Sequence, residues 1–241
     1  MANTNSKSLF LQGLKDGLPI CLGYISVSIA FGMVAISSGF TVWQAMLISL
    51  TNVTSAGQFS GINLMAAGAG YFEVGLTQLV INIRYSLMSL SLSQKVDSKF
   101  RLIDRFIISF VNTDEVFAVA SSRDGELSRS YMYGLITTPY FGWALGTLLG
   151  ATLSAFLPES IRLALGIAIY GMFIAIVIPP AKKQRSILAV VIIAIALSCM
   201  FRYVPYLNQL SSGFAIIVCA VAASVIGALF FPVKEAQTVE Q

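Results

Sequence analysis

The sequence predicts an all-α, polytopic integral membrane protein, a helical bundle with about six to eight membrane segments. Of its 241 residues, 56% are apolar and only 11% are charged, whereas an ordinary soluble domain has roughly 25% charged residues. Apolar runs of about 18 or more residues recur along the chain, and a helix of that length crosses a bilayer. Long unbroken runs also exclude the period-two pattern of a membrane barrel. We therefore expect the protein to be embedded in the lipid bilayer.

Eight apolar segments follow one another, and only short loops separate them. They span about 17–38, 42–66, 71–93, 106–122, 131–157, 163–180, 186–201 and 213–232. No stretch reads as a soluble domain or a long linker. We therefore treat residues 1–241 as one transmembrane domain, with a short cytoplasmic N-terminus at 1–15 and a short polar C-terminal tail at 233–241.

The distribution of basic residues distinguishes two topologies. If all eight segments cross and the N-terminus is cytoplasmic, the inner loops carry eight lysines and arginines and the outer loops carry six. If the second and fourth segments each enter and leave on the same side, the ratio becomes twelve to two. Only the second distribution agrees well with the positive-inside rule.

The same two segments have polar centres. The second contains the run 51–58 (Thr-Asn-Val-Thr-Ser-Ala-Gly-Gln), and the fourth contains 112–115 (Asn-Thr-Asp-Glu). Irregular backbone at membrane depth occurs where protein or water surrounds it, typically at a transport site. We therefore predict six crossings with two broken or re-entrant segments, and eight tilted spans are the alternative.

The fifth segment carries small residues at every fourth position, which form one smooth stripe on a helix. The stripe consists of Gly134, Thr138, Gly142, Gly146, Gly150 and Ser154. It predicts a close helix–helix contact, either within this chain or with another subunit.

Three ionisable residues lie deep in apolar segments: Arg84 near the centre of the third, and Asp114 and Glu115 midway along the fourth. Each costs roughly 2.5–3.5 kcal/mol on an insertion scale when it is left unpaired. One arginine cannot neutralise two carboxylates, so we expect one acid to bind a proton, a cation or an ammonium group. A purely structural pair that joins two helices is the alternative.

Neutral polar residues accompany these charges. Asn82 and Tyr85 share one face of the third segment, because positions three apart are neighbours on a helix. Gln58 in the second segment needs hydrogen-bond partners of its own. The candidates for substrate binding and proton coupling are Arg84, Asp114, Glu115, Asn82, Tyr85, Gln58, Thr113 and Asn112.

Several functions are excluded by what the chain lacks. It contains no histidine, so zinc motifs of the HExxH type and Ser–His–Asp hydrolases are ruled out. It contains no P-loop, and its three cysteines lie in apolar segments without metal-site spacing. We expect no enzyme activity, no cofactor, no metal and no nucleic-acid partner, since the basic residues occupy short loops.

Five sequence features resemble those of the AzlC family, the large subunit of two-component branched-chain amino-acid exporters (the LIV-E class). They are Gly23-Tyr24, Ala30-Phe31-Gly32, Gln58-Phe59, Asn82-Ile83-Arg84 before an aromatic residue, and Thr113-Asp114-Glu115. The likeness runs essentially end to end. The chain departs from the family pattern at Tyr85, where a histidine is common, and at Ser26, where a proline is common. Tyr85 puts a proton-relay role for that position in doubt.

The resemblance implies a secondary exporter of branched-chain or other neutral amino acids, driven by the proton-motive force across the bacterial cytoplasmic membrane. It also implies a small AzlD-type partner subunit. The buried charges suit a zwitterion, because Arg84 can face a carboxylate and an acid can face an ammonium. The alternatives are a passive channel-like pore for small neutral solutes or amino acids, and a membrane-embedded enzyme or scaffold.

Overall fold

The structure, a computed structural model, describes residues 2–153 and 177–231, together with 156, 158, 160, 171 and 174. The helices are α1 (Ala2–Ser37), α2 (Val42–Thr51), α3 (Ser55–Ala66), α4 (Tyr71–Ser93), α5 (Leu102–Phe110), α6 (Asp114–Ser122), α7 (Arg129–Leu153), α8 (Arg185–Tyr203) and α9 (Ser212–Phe230). No β-strand occurs in the described ranges, which confirms the all-α prediction.

Three of the described helices are long and apolar enough to cross a membrane: Ser6–Ser37 within α1, and the whole of α8 and α9. The number of membrane segments therefore stays a prediction. Most of the sixth apolar segment (163–180), the end of the small-residue stripe at 154, and the tail at 233–241 lie outside the described residues.

The most extensive contact between two helices is that of α1 with α7, and the two helices run parallel. A Cβ on Gly134 would collide with the backbone of Phe10, and one on Gly150 would collide with the backbone of Ile29. Both helices thus advance together along the contact. The small-residue stripe of α7 lies against α1 within this chain, because only glycine lets the two backbones come this close.

This contact also includes early turns of α1. The helix starts at Ala2, well before the predicted start near residue 17. Gly13 and Gly17 belong to the early turns, and a Cβ on either would meet α7 backbone atoms. Residues that look like a polar tail in the sequence are therefore packed helix, while their cytoplasmic placement stays a prediction.

Both segments with polar centres are interrupted helices. The second splits into α2 and α3, and Thr54 accepts a hydrogen bond from the backbone of Gly57 as the N-cap of α3. The fourth splits into α5 and α6, and Thr113 is the N-cap of α6. Threonine side chains satisfy helix N-termini in this way and thereby favour a new helix start. We call α2–α3 the first hairpin and α5–α6 the second hairpin.

The two ends of the second hairpin lie together. The backbone of Leu127, which follows α6, donates to Lys95 O at 2.8 Å and accepts from Asp97 N at 3.0 Å. Lys95 Nζ also donates to the carbonyl of Ser121 at 2.7 Å. The chain therefore leaves α4 and enters α7 at the same end of the molecule, which agrees with re-entry of this segment.

The first hairpin enters from the opposite end. Ala45 of α2 packs in one apolar cluster with Ala35 and Ala151, near the far ends of α1 and α7. At the break, Thr54 Oγ1 donates to Asn82 Oδ1 at 3.0 Å, halfway along α4. Both hairpins thus reach the middle of the bundle from opposite ends.

Basic residues gather at the end that holds the second hairpin. Asp104 is only 2% exposed, and it lies 3.5 Å from both Arg101 and Arg129. Arg123 lies 3.9 Å from Asp16 of α1. The positive-inside rule places such an end at the cytoplasm.

Candidate functional site

A cavity of about 290 Å³ lies where the turns of the two hairpins meet. It is enclosed by α1, α3, α4, α6 and α7. Its lining residues are Tyr24, Val53, Ser55, Ala56, Ile81, Arg84, Tyr85, Thr113, Asp114, Glu115, Trp143 and Val177. Both new helix starts, α3 and α6, point their N-terminal turns at this cavity.

Arg84 is bound to one of the two acids. Its Nη1 lies 2.5 Å from Asp114 Oδ2, which joins α4 to the first turn of α6. Its Nη2 donates to Tyr85 Oη at 2.9 Å, and the guanidinium also lies 4.7 Å from the centre of the Tyr85 ring. The positive charge of Arg84 is thus neutralised by Asp114.

Glu115 has no such partner. The Tyr24 hydroxyl donates to Glu115 Oε2 at 2.5 Å and lies 2.6 Å from Thr113 Oγ1. In the part of the chain that the structure describes, no lysine or arginine nitrogen lies within 4.0 Å of Glu115. Glu115 is therefore the carboxylate that the single arginine leaves uncompensated, and it faces the cavity.

Five of the eight predicted site residues line the cavity: Arg84, Tyr85, Thr113, Asp114 and Glu115.

The other three predicted residues lie beside the cavity. Gln58 is buried, and its Nε2 donates to Ser49 Oγ at 3.0 Å, which ties α3 to α2. Asn82 accepts from Thr54 at the first break. Asn112 donates to Ser89 Oγ at 3.0 Å and lines a separate small cavity of about 60 Å³. These side chains hold the breaks in position.

Seven residues that line the cavity were not among the predicted site residues: Tyr24, Val53, Ser55, Ala56, Ile81, Trp143 and Val177. Tyr24 belongs to the Gly23-Tyr24 pair of the first segment, and that motif was the available signal. Trp143 follows Gly142 of the small-residue stripe, and this position beside a predicted close helix contact was the available signal. Ser55 and Ala56 stand in the polar run of the second segment, but nothing in their chemistry marks them as binding residues.

Larger cavities occur elsewhere among the described residues, and they lack this chemistry. One of about 500 Å³ lies between α8 and α9, and its charged residue is Arg202. Another of about 460 Å³ lies between α5 and α7 and is lined mostly by apolar and aromatic side chains. Neither contains an acid, so the cavity at Glu115 is the candidate functional site. No cluster of metal-ligating side chains occurs in the described ranges.

Interrupted helices that meet at a charged cavity in the middle of a bundle are typical of membrane transport proteins. The fold and the site therefore define a multi-pass helical membrane protein with a transport role. Comparison with known families agrees with this class, because residues 19–157 match the family model described as AzlC protein. The chain belongs to the AzlC family, a membrane transport family and not an enzyme family.

The curated relatives are membrane proteins as well. The chain is 28% identical to the Inner membrane protein YgaZ of Escherichia coli, over 74% of this chain and 76% of that protein. It is 32% identical to an uncharacterized membrane protein of Archaeoglobus fulgidus, over 82% and 88% of the two chains. A Helicobacter pylori membrane protein is 28% identical over 59% of this chain and 64% of its own length. The protein is a multi-pass inner-membrane protein. No solved structure matches it.

Proposed function

We propose that this protein is a proton-driven antiporter that exports branched-chain or other neutral amino acids across the cytoplasmic membrane. The observation that carries the proposal is the unequal state of the two neighbouring acids in one cavity. Asp114 is paired with Arg84 at 2.5 Å, whereas Glu115 has a hydroxyl partner and no cation among the described residues. A carboxylate in that position can exchange a proton for a substrate ammonium.

The exchange accounts for the direction of transport. On the cytoplasmic side, the ammonium group of the amino acid binds the ionised carboxylate of Glu115. On the outer side the amino acid leaves, and Glu115 takes up a proton from the medium. When the site faces the cytoplasm again, Glu115 releases this proton and can bind the next ammonium group. One proton therefore enters for each amino acid exported, and the proton gradient drives export.

The remaining lining fits the rest of such a substrate. Val53, Ile81 and Val177 supply apolar surface from three different parts of the chain. An aliphatic side chain gains free energy when it leaves water for such surface. Because Asp114 neutralises Arg84, the site presents little net positive charge that would attract anionic amino acids.

We further propose that the protein acts as a large subunit with a small AzlD-type membrane subunit. Helix α8 is apolar and contains no buried residue. It therefore has surface for a partner helix in addition to lipid. The family resemblance supplies the type of partner.

Counterflow of labelled leucine, valine, methionine and alanine in membrane vesicles tests the proposal. The protein is expressed with and without the small subunit, and an outward or inward pH gradient is imposed. We expect uphill movement of at least one of these amino acids when the gradient favours proton exchange, and its loss when an ionophore collapses the gradient. Vesicles that lack this chain are the control.

The second candidate is a passive channel-like pore for small neutral solutes or amino acids. The acids would then set selectivity, and flux would be unchanged when the proton gradient collapses. Downhill flux without counterflow would favour this pore and would contradict the antiporter.

A further inference from the structure

The first turn of α3 lines the cavity with backbone N–H groups that have no acceptor in their own helix. Ser55 and Ala56 are the first two residues of α3, where no preceding turn offers a carbonyl. The N-cap Thr54 accepts from the N–H of Gly57 at 3.0 Å. The amides of Ser55 and Ala56 therefore remain as donors at the cavity wall, at the positive end of the helix dipole.

Trp143, whose side chain also lines the cavity, carries a buried donor without a partner in the described part of the chain. Trp143 is 2% exposed, and within the described residues its Nε1 has no hydrogen-bond acceptor. Its ring is held edge-on against Tyr24, with centroids 5.2 Å apart, and it packs in one cluster with Val53 at the first break. A buried indole N–H without an acceptor is unfavourable, so a ligand acceptor in the cavity would stabilise this arrangement.

The two helix N-termini at the cavity differ in the charge of their first turns. The first turn of α6 contains Asp114 and Glu115, whereas the first turn of α3 contains no acid. Negative side chains offset the positive dipole end of α6. The corresponding end of α3 keeps its positive potential, which helix N-termini use to bind carboxylates and phosphates.

We propose that α3 and Trp143 form the subsite for the carboxylate of the transported amino acid. The substrate carboxylate accepts from the amides of Ser55 and Ala56 and from Trp143 Nε1. Glu115, across the cavity, binds the ammonium group of the same molecule. Arg84 pairs with Asp114 and holds α4 against α6. This assignment rests on the proposed amino-acid transport. It adds to that proposal the orientation of the zwitterion in the cavity.

The first test places a competing carboxylate at the N-terminus of α3. Ser55→Asp puts an acid in the first turn, a position that favours helix stability, and Ser55→Asn is the neutral control of the same shape. Binding to the purified full chain in lipid nanodiscs is measured by calorimetry with L-leucine and with L-leucinamide, which keeps the ammonium and lacks the carboxylate. We expect Ser55→Asp to weaken leucine binding by about tenfold or more, the scale of a hydrogen bond to a charged group. Leucinamide should bind Ser55→Asp as well as or better than it binds Ser55→Asn.

The second test removes the indole donor and keeps the ring. Trp143→Phe preserves the edge contact with Tyr24 and leaves the amides of α3 in place. We expect weaker leucine binding by about tenfold, with a smaller change for leucinamide. A third measurement uses fluorescence in a Trp43→Phe background, where Trp143 is the remaining tryptophan. Leucine should shift its emission, because the carboxylate would contact the indole N–H.

The outcomes separate the subsite from the transport proposal. If the parent protein binds none of leucine, valine, methionine and alanine, the proposed function is wrong and the subsite falls with it. If the parent binds leucine and Ser55→Asp binds it as well as Ser55→Asn does, amino-acid binding stands and the carboxylate subsite is wrong. Equal losses for leucine and leucinamide in Trp143→Phe would likewise overturn the subsite, because the indole would then act on the pocket shape alone.

Discussion

The two hairpins of this protein share one construction and differ in charge. Each interrupts an apolar segment, each resumes as a helix capped by a threonine (Thr54 or Thr113), and each points that helix at the same cavity. The first hairpin has no acid in its new first turn, whereas the second has Asp114 and Glu115. The same backbone arrangement thus has one helix end without acids and one with two acids, which we propose bind an anion and a cation respectively.

In the proposed function, this difference lets a single cavity accommodate both groups of a zwitterion. Half-helices supply the backbone donors, and side chains in the first turn decide the sign of the local charge. The parallel pair α1–α7 supports both hairpins, because Tyr24 contacts the second break and Tyr140 Oη donates to Leu50 O beside the first at 3.1 Å.

The largest effect is expected when this supporting pair is disrupted. A Cβ at Gly146 would already meet the backbone of Ile25 at 2.5 Å, and Gly146→Leu adds a whole side chain there. Both hairpins should then lose their support, and little folded protein should be recovered. Size-exclusion chromatography and thermal unfolding in detergent measure this loss. Gly75→Leu is the control, since among the described residues no atom outside the backbone of its own helix lies within 4 Å of a Cβ at that position. Normal assembly of Gly146→Leu would show that the α1–α7 contact is not close-packed.

The second prediction separates the two acids by stability. Asp114→Asn leaves Arg84 without its carboxylate, so the protein should lose about 2–3 kcal/mol, somewhat less than the 3–5 kcal/mol typical of a fully buried pair. The measurement is chemical unfolding in detergent. Glu115→Gln is the matched control and should unfold like the parent protein, because no cation depends on Glu115 among the described residues. Equal stability of Asp114→Asn and the parent would contradict a structural role for the Arg84 pair.

The third prediction separates the same acids by transport. Glu115→Gln can hold neither an exchangeable proton nor an ammonium by charge, so uphill export driven by a pH gradient should be lost. We expect the folded variant still to exchange amino acids across the membrane, at a reduced affinity. Vesicle counterflow with and without a pH gradient measures both activities, and Glu126→Gln in an exposed loop is the control. Uphill export by Glu115→Gln at the parental rate would show that another group carries the proton.

A smaller effect is expected at the two caps. Thr54→Ala and Thr113→Ala each remove an N-cap, which costs about 1 kcal/mol. Thermal unfolding should show similar losses for both variants, since each hydroxyl also makes one further hydrogen bond, Thr54 to Asn82 and Thr113 to Tyr24. A serine at either position keeps the cap and is the control. Unchanged stability in both alanine variants would indicate that the breaks are held by tertiary contacts alone.

The last prediction concerns topology, and its variants are not expected to change the stability of the protein. In a variant without the three native cysteines, Lys99→Cys and Ser128→Cys flank the second hairpin, and Ser37→Cys and Ala67→Cys flank the first. We expect the first two to be labelled from the cytoplasm only and the other two from outside only. Labelling of Lys99→Cys and Ser128→Cys from opposite faces would show that the second hairpin crosses the membrane and would favour eight spans.

The interruption of two helices was predictable because it has local causes. Runs of Asn, Thr and Ser offer the backbone side-chain hydrogen bonds that compete with a continuous helix, and threonine favours a new start. The start of α1 was not predictable in the same way. Helix α7 packs against the early turns of α1 at Gly13 and Gly17, and the polar residues Lys7, Gln12, Lys15 and Asp16 among them shortened the apolar segment that the sequence predicts.

The candidate site was likewise predictable in part from the sequence and in part only from the structure. Charge counting predicts that one acid near Arg84 stays uncompensated, since one positive group cannot neutralise two negative groups. Which acid pairs depends on the direction of each side chain, and adjacent residues on a helix point about 100° apart. The placement of α4 beside α6 brings Asp114 to Arg84 and directs Glu115 to Tyr24.

By itself, the sequence determined that this is a helical membrane protein with two broken segments and buried charges of both signs, because composition and local hydrogen bonding control those properties. Only the tertiary structure decided that the Gly134–Gly150 stripe lies against α1, and that Trp143 and the first turn of α3 line the cavity of Glu115. These facts depend on contacts between residues far apart in the chain, and no local propensity encodes such contacts.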